Sequence, residues 1–340
     1  MKGVTFGSYH SFSDLHLILT DKTIGTPAPK IETIDIPGSD GTLDLTEFFG
    51  EVKYQNRPLS FKFTTLVPQS QFMTLFGMIQ NALHGQKVNI ALDDDPEWYY
   101  TGRVSVSSWK ADKRLGKLTI DCDCEPFKHR VTSQAVSLAG LNLLNLDAGI
   151  ATAGGTWTKT ETGYTFDRGS ATGGKFLYWN VPVAKGTQYT FSAGYSLQGR
   201  RLYVYEDSLQ GKRISMVVDG NPNTFIAQKT GIYVFGLYCA SDITTGTFEN
   251  VMLQEGGTVG DYVAYDATSK EITATFTNAR KAAVPTGYAA GTVEMQSDSV
   301  AQVLSPGKQL LDSFTFYKGN NTFMFKGNGI AVIEWEEGEL

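Results

Sequence analysis

From Leu15 to Leu19 apolar side chains alternate with polar ones, the period of a strand with one buried face. Leu59 to Leu66 alternates again and sends Phe61 and Phe63 to one side. Ile31, Ile34 and Ile36 mark a further extended stretch, and the turn cluster Pro37-Gly38-Ser39-Asp40-Gly41 separates it from Leu43-Asp44-Leu45. One segment alone has helical period: Phe72, Leu75, Phe76, Ile79 and Leu83 share a face between Ser70, read as the N-cap, and Gly85, read as the C-terminal stop. Strands follow at Val88–Leu92, from Trp98 through Val106, and at Lys117–Cys124, with a turn at Asp93-Asp94-Asp95-Pro96.

The texture changes after Pro126-Phe127. From Leu143 to Tyr265 charged residues thin out while Gly, Thr and Tyr become frequent. Short strands recur at Lys175–Val183, Gln188–Tyr195, Arg201–Glu206, Ile214–Val218, Gly231–Cys239 and Thr247–Leu253. That rhythm predicts a sandwich or jelly roll. The remainder resumes a hairpin pattern, with turns expected at Lys318-Gly319-Asn320-Asn321 and Gly327-Asn328-Gly329 between Phe314–Tyr317, Thr322–Phe325 and Ala331–Trp335.

A chain of 340 residues has room for two or three domains, and 36 glycines scattered singly at turn positions suit a mainly β protein. The net charge is -6, and division at Arg130 and Tyr265 leaves pieces of about -2, -1 and -3 by direct count, with no run of Lys or Arg. Nucleic acid and anionic membrane are therefore not expected partners. Met1-Lys2-Gly3-Val4-Thr5-Phe6 lacks the apolar stretch of a signal peptide, and no apolar run approaches the roughly 20 residues of a membrane helix. Cys122 and Cys124 lie two apart on an expected strand, so both read as small buried hydrophobes, as does Cys239. His10, His16, His84 and His129 show no ligand spacing, so no metal and no cofactor is expected.

The run Ile36-Pro37-Gly38-Ser39-Asp40-Gly41-Thr42-Leu43-Asp44-Leu45-Thr46 is followed by Tyr54-Gln55-Asn56-Arg57, by Phe61-Lys62-Phe63, and later by Asp95-Pro96-Glu97-Trp98-Tyr99-Tyr100-Thr101-Gly102-Arg103-Val104. In that order these residues resemble the N-terminal domain of siphophage distal tail proteins. Asn278-Ala279-Arg280-Lys281-Ala282-Ala283-Val284-Pro285-Thr286 resembles the family's entry to a galectin-like β-sandwich, and Phe316-Tyr317-Lys318-Gly319-Asn320-Asn321-Thr322 with Glu334-Trp335-Glu336-Glu337-Gly338-Glu339-Leu340 its last hairpin and terminus. The middle is similar to jelly-roll carbohydrate-binding modules grafted onto tail proteins. It opens with Asn142-Leu143-Leu144-Asn145, contains Gly186-Thr187-Gln188-Tyr189-Thr190-Phe191-Ser192-Ala193, and closes with Glu249-Asn250-Val251-Met252-Leu253-Gln254-Glu255-Gly256 and Asp261-Tyr262-Val263-Ala264-Tyr265.

The resemblance implies three parts: residues 1–130 as a ring-forming β-sandwich with one helix and a hairpin, 131–142 with 266–340 as a galectin-like sandwich, and 143–265 as an inserted jelly roll. It implies a structural virion protein of the tail tip, assembled in the bacterial host cytoplasm. Its partners would be copies of itself in a six-membered ring, tail-tube and tail-tip or baseplate proteins, and host surface polysaccharide.

Candidate chemistry concentrates in the insert. Alternation along Arg201-Leu202-Tyr203-Val204-Tyr205 turns Leu202 and Val204 inward and Arg201, Tyr203 and Tyr205 outward, with Arg200, Glu206 and Asp207 alongside. An aromatic ring covers the C–H face of a sugar while Arg or Asp bonds its hydroxyls. On the preceding strand one of Tyr178 and Trp179 must face out. The expected saccharide contacts are thus Tyr178, Trp179, Arg200, Arg201, Tyr203, Tyr205 and Asp207; Trp157 and Tyr164 are weaker candidates, and Tyr189, Phe191, Ile232 and Val234 read as core. Asp93-Asp94-Asp95 with Glu97 lacks the spacing of a calcium loop and reads as a solvated tip or a subunit contact, and Glu334, Glu336, Glu337 and Glu339 as a solvated edge. There is no nucleophile elbow, phosphate loop or His-Glu-x-x-His, and Glu206 and Asp207, adjacent on a strand, point to opposite faces. A binding protein without catalysis is the expected reading; its rival is a free-standing glycan-active enzyme or its accessory module.

Overall fold

The computed structural model describes residues 2–48, 50–65, 67–111, 115–195, 200–218, 222–278, 283–297 and 300–340. They divide into two units, one running to Val131 and regaining Glu337–Leu340, the other Thr132–Glu336.

The first unit holds β1 (Val4–Phe6), β2 (Tyr9–His10), β3 (Ile18–Ile24), β4 (Thr33–Asp35), β5 (Thr42–Asp44), β6 (Arg57–Thr65), α1 (Phe72–Leu83), β7 (Lys87–Leu92), β8 (Asp95–Ala111) and the first part of β9 (Gly116–Ser137). Antiparallel pairing runs in the order β2-β1-β7-β8-β9-β6-β3. The sheet folds over on itself, because Phe6 of β1 meets Phe61 and Phe63 of β6 at 5.7 and 6.3 Å between ring centres. The period-two alternation is the cause: Leu59, Phe61 and Phe63 point into one core with Val4, Phe6, Ile90, Val104 and Ile120. Cys122 and Cys124 share that core, as their spacing predicts. Helix α1 adds Leu75, Ile79 and Leu83 and sets Phe72 and Phe76 against Trp109.

Four local expectations need correction. Ser70 does not cap α1: it lies within a 3-10 turn, Gln69–Gln71, and Gln71 takes the cap position without a side-chain bond. Gly85, at φ +78°, does end the helix segment. Leu15 and Leu17 reach the core from a turn rather than a strand, because His16 between them is left-handed at φ 52°; β3 begins only at Ile18. The acidic tip is tied down within its own unit. Asp93 accepts from the Gly3 amide at 2.6 Å and pairs with His10 at 3.2 Å, Asp94 pairs with Lys22 at 2.5 Å and Asp95 with Lys128 at 3.0 Å. The terminus is not wholly a solvated edge either, since Glu337 is buried against Arg130 at 2.6 Å. Leu66 lies outside the described residues.

The second unit opens with a sandwich built from β10 (Ile150–Ala151), β11 (Thr156–Lys159), β12 (Tyr164–Asp167), β13 (Lys175–Val183), β14 (Gln188–Gly194), β15 (Arg200–Glu206), β16 (Arg213–Val218), β17 (Asn223–Ile226), β18 (Gly231–Cys239) and β19 (Thr245–Glu255). Two antiparallel sheets, β10-β13-β18-β15-β16 and β11-β12-β19-β14-β17, close over Trp179, Phe191, Phe235, Phe248 and Leu253. Tyr189 and Phe191 are core, as expected, and Val234 is fully buried. Ile330, from the chain's last strand, enters the same core.

The unit is completed by β20 (Lys270–Asn278), β21 (Thr286–Gln296), β22 (Ala301–Leu304), β23 (Gly307–Leu310) and β24 (Gly319–Glu339). β24 pairs on one side with β20 and on the other with β21, which also carries β22 and β23. Phe276, Phe316, Phe323, Phe325 and Trp335 form the core here. The turn at Lys318–Asn321 holds, with Gly319 at φ +94° and Asn321 bonding both backbone groups of Tyr317. The turn expected at Gly327–Gly329 is instead a bend in one continuous strand. Gly327, at φ +127°, has the Thr292 carbonyl oxygen 2.0 Å from where a Cβ would stand, and Gly291, at φ +82°, pairs with Gly329. Glycine here permits two backbones to approach, and does not end a strand. Ala279-Arg280-Lys281-Ala282 of the sandwich-entry motif lies outside the described residues. No helix among them is long and apolar enough to cross a membrane.

Candidate saccharide-binding face

The sheet β10-β13-β18-β15-β16 has an inner face in the core and an outer face that gathers aromatic rings. Register aligns them: Tyr178 of β13 and Tyr203 of β15 both pair with Gly236 of β18, while Phe176 and Arg201 both pair with Tyr238. Met216 of β16 stands beside Tyr203. The Tyr203 and Tyr205 rings stack at 5.6 Å and 10°, and Phe176 meets Tyr203 edge-on at 5.4 Å. Tyr238 contacts Phe176 at 4.7 Å and Tyr203 at 5.4 Å. The arrangement depends on Gly236, where a Cβ would come within 3.1 Å of the Phe176 ring.

Arg201 donates from Nη1 to the Tyr203 hydroxyl at 3.2 Å and lies over the Tyr238 ring at 5.9 Å. Tyr178, Arg201, Tyr205 and Tyr238 are half-buried, so each keeps an edge or donor in solvent, while Tyr203 is hemmed in by its neighbours at 6% exposure. Burial raises the Tyr205 hydroxyl's pKa, keeping it a neutral donor at ordinary pH. The ensemble offers apolar ring surface edged by hydroxyls and one guanidinium, which is chemistry for holding a polyol.

Three expected contacts do not stand on this face. Trp179 is core: alternation turns it inward, where Nε1 donates to the Asn145 carbonyl at 2.9 Å and the ring meets Tyr164. Arg200 likewise points inward at 2% exposure and donates to the carbonyls of Thr247 at 3.0 Å and Thr245 at 3.2 Å, bracing β19. Asp207 sits past the end of β15 at φ 61°, paired with Lys229 at 2.9 Å. Lys229 also reaches Glu206 at 3.4 Å, so one lysine neutralises both carboxylates. Trp157 and Tyr164 pack on the core, and the Tyr164 hydroxyl donates to the Leu146 carbonyl. Phe176 and Tyr238 join this face as well, because the alternation that turns Leu177 and Leu237 inward places both outward. No group of three or more His, Cys, Asp or Glu suited to a metal occurs among the described residues.

The fold and this face define a mainly β protein whose sandwich presents an aromatic surface. Comparison with solved structures finds the Dit protein of phage SPP1, described as a paradigm of the hub adsorption apparatus of phages infecting Gram-positive bacteria, at 12% identity over 100% of both chains with a TM-score of 0.38. An oxalate decarboxylase mutant of Bacillus subtilis matches 59% of this chain and 78% of its own at 9% identity and TM-score 0.14. A 7S globulin of Momordica charantia matches 56% and 84% at 10% identity and TM-score 0.13. No protein-family model matches the sequence, and neither does any curated protein.

Proposed function

We propose that this chain is a structural subunit of a phage tail tip. It joins the tail tube to the adhesion apparatus as a homo-oligomeric ring of six, binds host surface polysaccharide through Tyr178, Arg201 and Tyr205, whose ring the buried Tyr203 backs, and catalyses no step. The observation that carries the ring is the β4–β5 hairpin. The residues that resemble distal tail proteins, Ile36–Thr46, form its turn and second strand. Two strands alone are marginal in water, yet this pair and its flanks expose Ile31 at 69%, Ile34 at 52%, Ile36 at 47% and Leu43 at 48%. Such a surface needs a cover. A second copy suits it. The hairpin carries exposed Glu32, Asp35, Asp40 and Asp44, and the same unit presents Lys110 and Lys117, beside Lys62 paired with Asp21 at 2.8 Å, around a groove of 480 Å³. A protruding acidic arm and a basic groove on one chain make a head-to-tail contact, the kind that closes rings. The half-buried rings on the outer face of the sandwich support the saccharide part, and many copies on one particle would turn weak binding into firm attachment.

Light scattering and negative-stain microscopy test the ring. The intact chain should form a closed ring, and the double variant Ile34→Asp, Leu43→Asp should be monomeric with an unchanged melting curve. A monomer at micromolar concentration would sink the ring. A glycan array should show binding by the intact chain that weakens in Tyr178→Ala and Tyr205→Ala. Reducing ends released from a bound glycan would favour an enzyme instead.

A further inference from the structure

A second cavity opens on the other sheet of the sandwich. Its volume is 490 Å³, and Ser192, Asn250, Met252, Val259, Asp261 and Tyr262 line it. The segment following β19 crosses the outer face of that sheet to form one wall. It is held by the Thr190 hydroxyl on the Gly256 carbonyl at 2.7 Å, by Gln254 on the Thr258 carbonyl, and by Asn142 on the Val263 carbonyl at 3.0 Å.

The sheet is irregular at this cavity. The register of β14 against β19 shifts between Ser192 and Gly194, and Asn250 is left-handed at φ 52°. Bulges re-aim side chains, and a non-glycine residue held left-handed stores strain that the surroundings must enforce. The result is a convergence of polar groups. Among the described residues, no hydrogen bond uses the half-buried Ser192 hydroxyl or the solvent-exposed Asn250 side-chain amide and Asp261 carboxylate. The floor is apolar, with Met252 at 2% exposure, and Tyr262 supplies a half-buried ring.

We propose that this cavity binds a single neutral pyranose unit, at a site separate from the aromatic face. Met252, Val259 and the Tyr262 ring offer an apolar surface for the C–H face of the sugar. Asp261 and Asn250 accept from neighbouring hydroxyls, and Ser192 and the Asn250 amide donate. The volume falls within the roughly 300–1,000 Å³ of small-ligand sites. The lone carboxylate, with no cation lining the cavity, disfavours phosphate or uronate. The aromatic face is open and suits an extended chain; this cavity is walled and suits one residue or a chain end.

Saturation-transfer NMR on the full chain, with the methyl glycosides of glucose, galactose and mannose as probes, tests the proposal. At least one glycoside should receive saturation at millimolar concentration. The signal should need about tenfold more ligand in Asp261→Ala and in Asn250→Gly. The glycine variant removes the amide while easing the left-handed backbone, so it remains folded. Glu271→Gln, an exposed change on β20, should leave the signal unchanged, and Tyr178→Ala reports any binding by the aromatic face. Silence from all three glycosides, or a signal that survives both cavity variants, overturns the proposal. A signal lost only in Tyr178→Ala assigns the binding to the aromatic face and overturns it equally, without touching the reading of that face.

Discussion

At the scale of single residues, strand parity decides what each side chain can do. Tyr178 and Trp179 are neighbours with opposite fates, and the sequence shows that they must differ without saying which is which. Tertiary packing resolves it, because the indole finds the Asn145 carbonyl inside. Trp179→Ala should cost about 3–5 kcal/mol, whereas Tyr178→Ala, on the outer face, should change stability by under about 1 kcal/mol. Urea unfolding of both variants measures the contrast, and equal losses would refute the assignment of faces. Arg200 is the instructive miss. A charged residue next to an outward row reads as part of that row, and nothing local reveals two backbone carbonyls of a strand far along the chain waiting for its guanidinium. The thiols were legible from spacing alone. Burial pushes Cys124 and Cys239 up to about 12 from an ordinary 9.0, and raises Cys122 as well. Burial likewise carries Tyr189 up to about 12. These groups stay protonated when folded but ionise when unfolded. Their contribution is therefore complete below pH 9 and is lost as pH climbs toward 12, at about 1.4 kcal/mol per unit per group. The urea midpoint should fall between pH 8 and pH 10.5, and a thiol reagent at pH 8 should label only unfolded chains. A flat midpoint together with rapid native labelling would show the thiols exposed.

At the scale of elements, periodicity located six of the sandwich's ten strands to within about two residues, since each alternates against one continuous core, and missed the short β10, β11, β12 and β17. It failed where glycine has two meanings. Gly327-Asn328-Gly329 has the composition of a turn, yet β24 runs through it because Gly291 on β21 leaves the facing space empty. Only the partner strand carries that information, so no window along β24 could have shown it. Gly291→Ala therefore combines a left-handed backbone with a Cβ 2.4 Å from the Asn328 carbonyl oxygen. It should destabilise the second unit by about 1–3 kcal/mol. Gly38→Ala, also left-handed but with nothing within 4 Å of its Cβ, should cost about 1 kcal/mol from the backbone alone. Paired thermal melts separate the two. An indistinguishable shift would mean that the close approach of β21 and β24 relaxes freely.

At the scale of the whole molecule, the question is whether 143–265 is a graft on an older scaffold. The chain enters and leaves that segment at one place. The Asp266 amide donates to the Ala139 carbonyl at 3.4 Å, Asn142 reaches the Val263 carbonyl at 3.0 Å, and Leu143 pairs with Leu253. Neighbouring ends are what let one domain be inserted into another without breaking the host's core. The host core around Phe276, Phe316 and Trp335 draws nothing from the insert, while the insert core borrows Ile330. A smaller cluster joins Ala184 and Ile232 of that segment to Tyr288 and Val332, so excision should uncover Ile330, Tyr288 and Val332. A chain with 143–265 replaced by Gly-Gly and carrying Ile330→Thr and Val332→Thr should remain folded, with a cooperative melt and β-type circular dichroism. It should keep the oligomeric state of the intact chain, because the hairpin and the lysine groove both lie in the first unit, and it should lose all binding to glycans. Aggregation despite the threonines would mean that the two parts share one core and that the segment was never separable. Retained glycan binding would move the saccharide site out of the sandwich altogether.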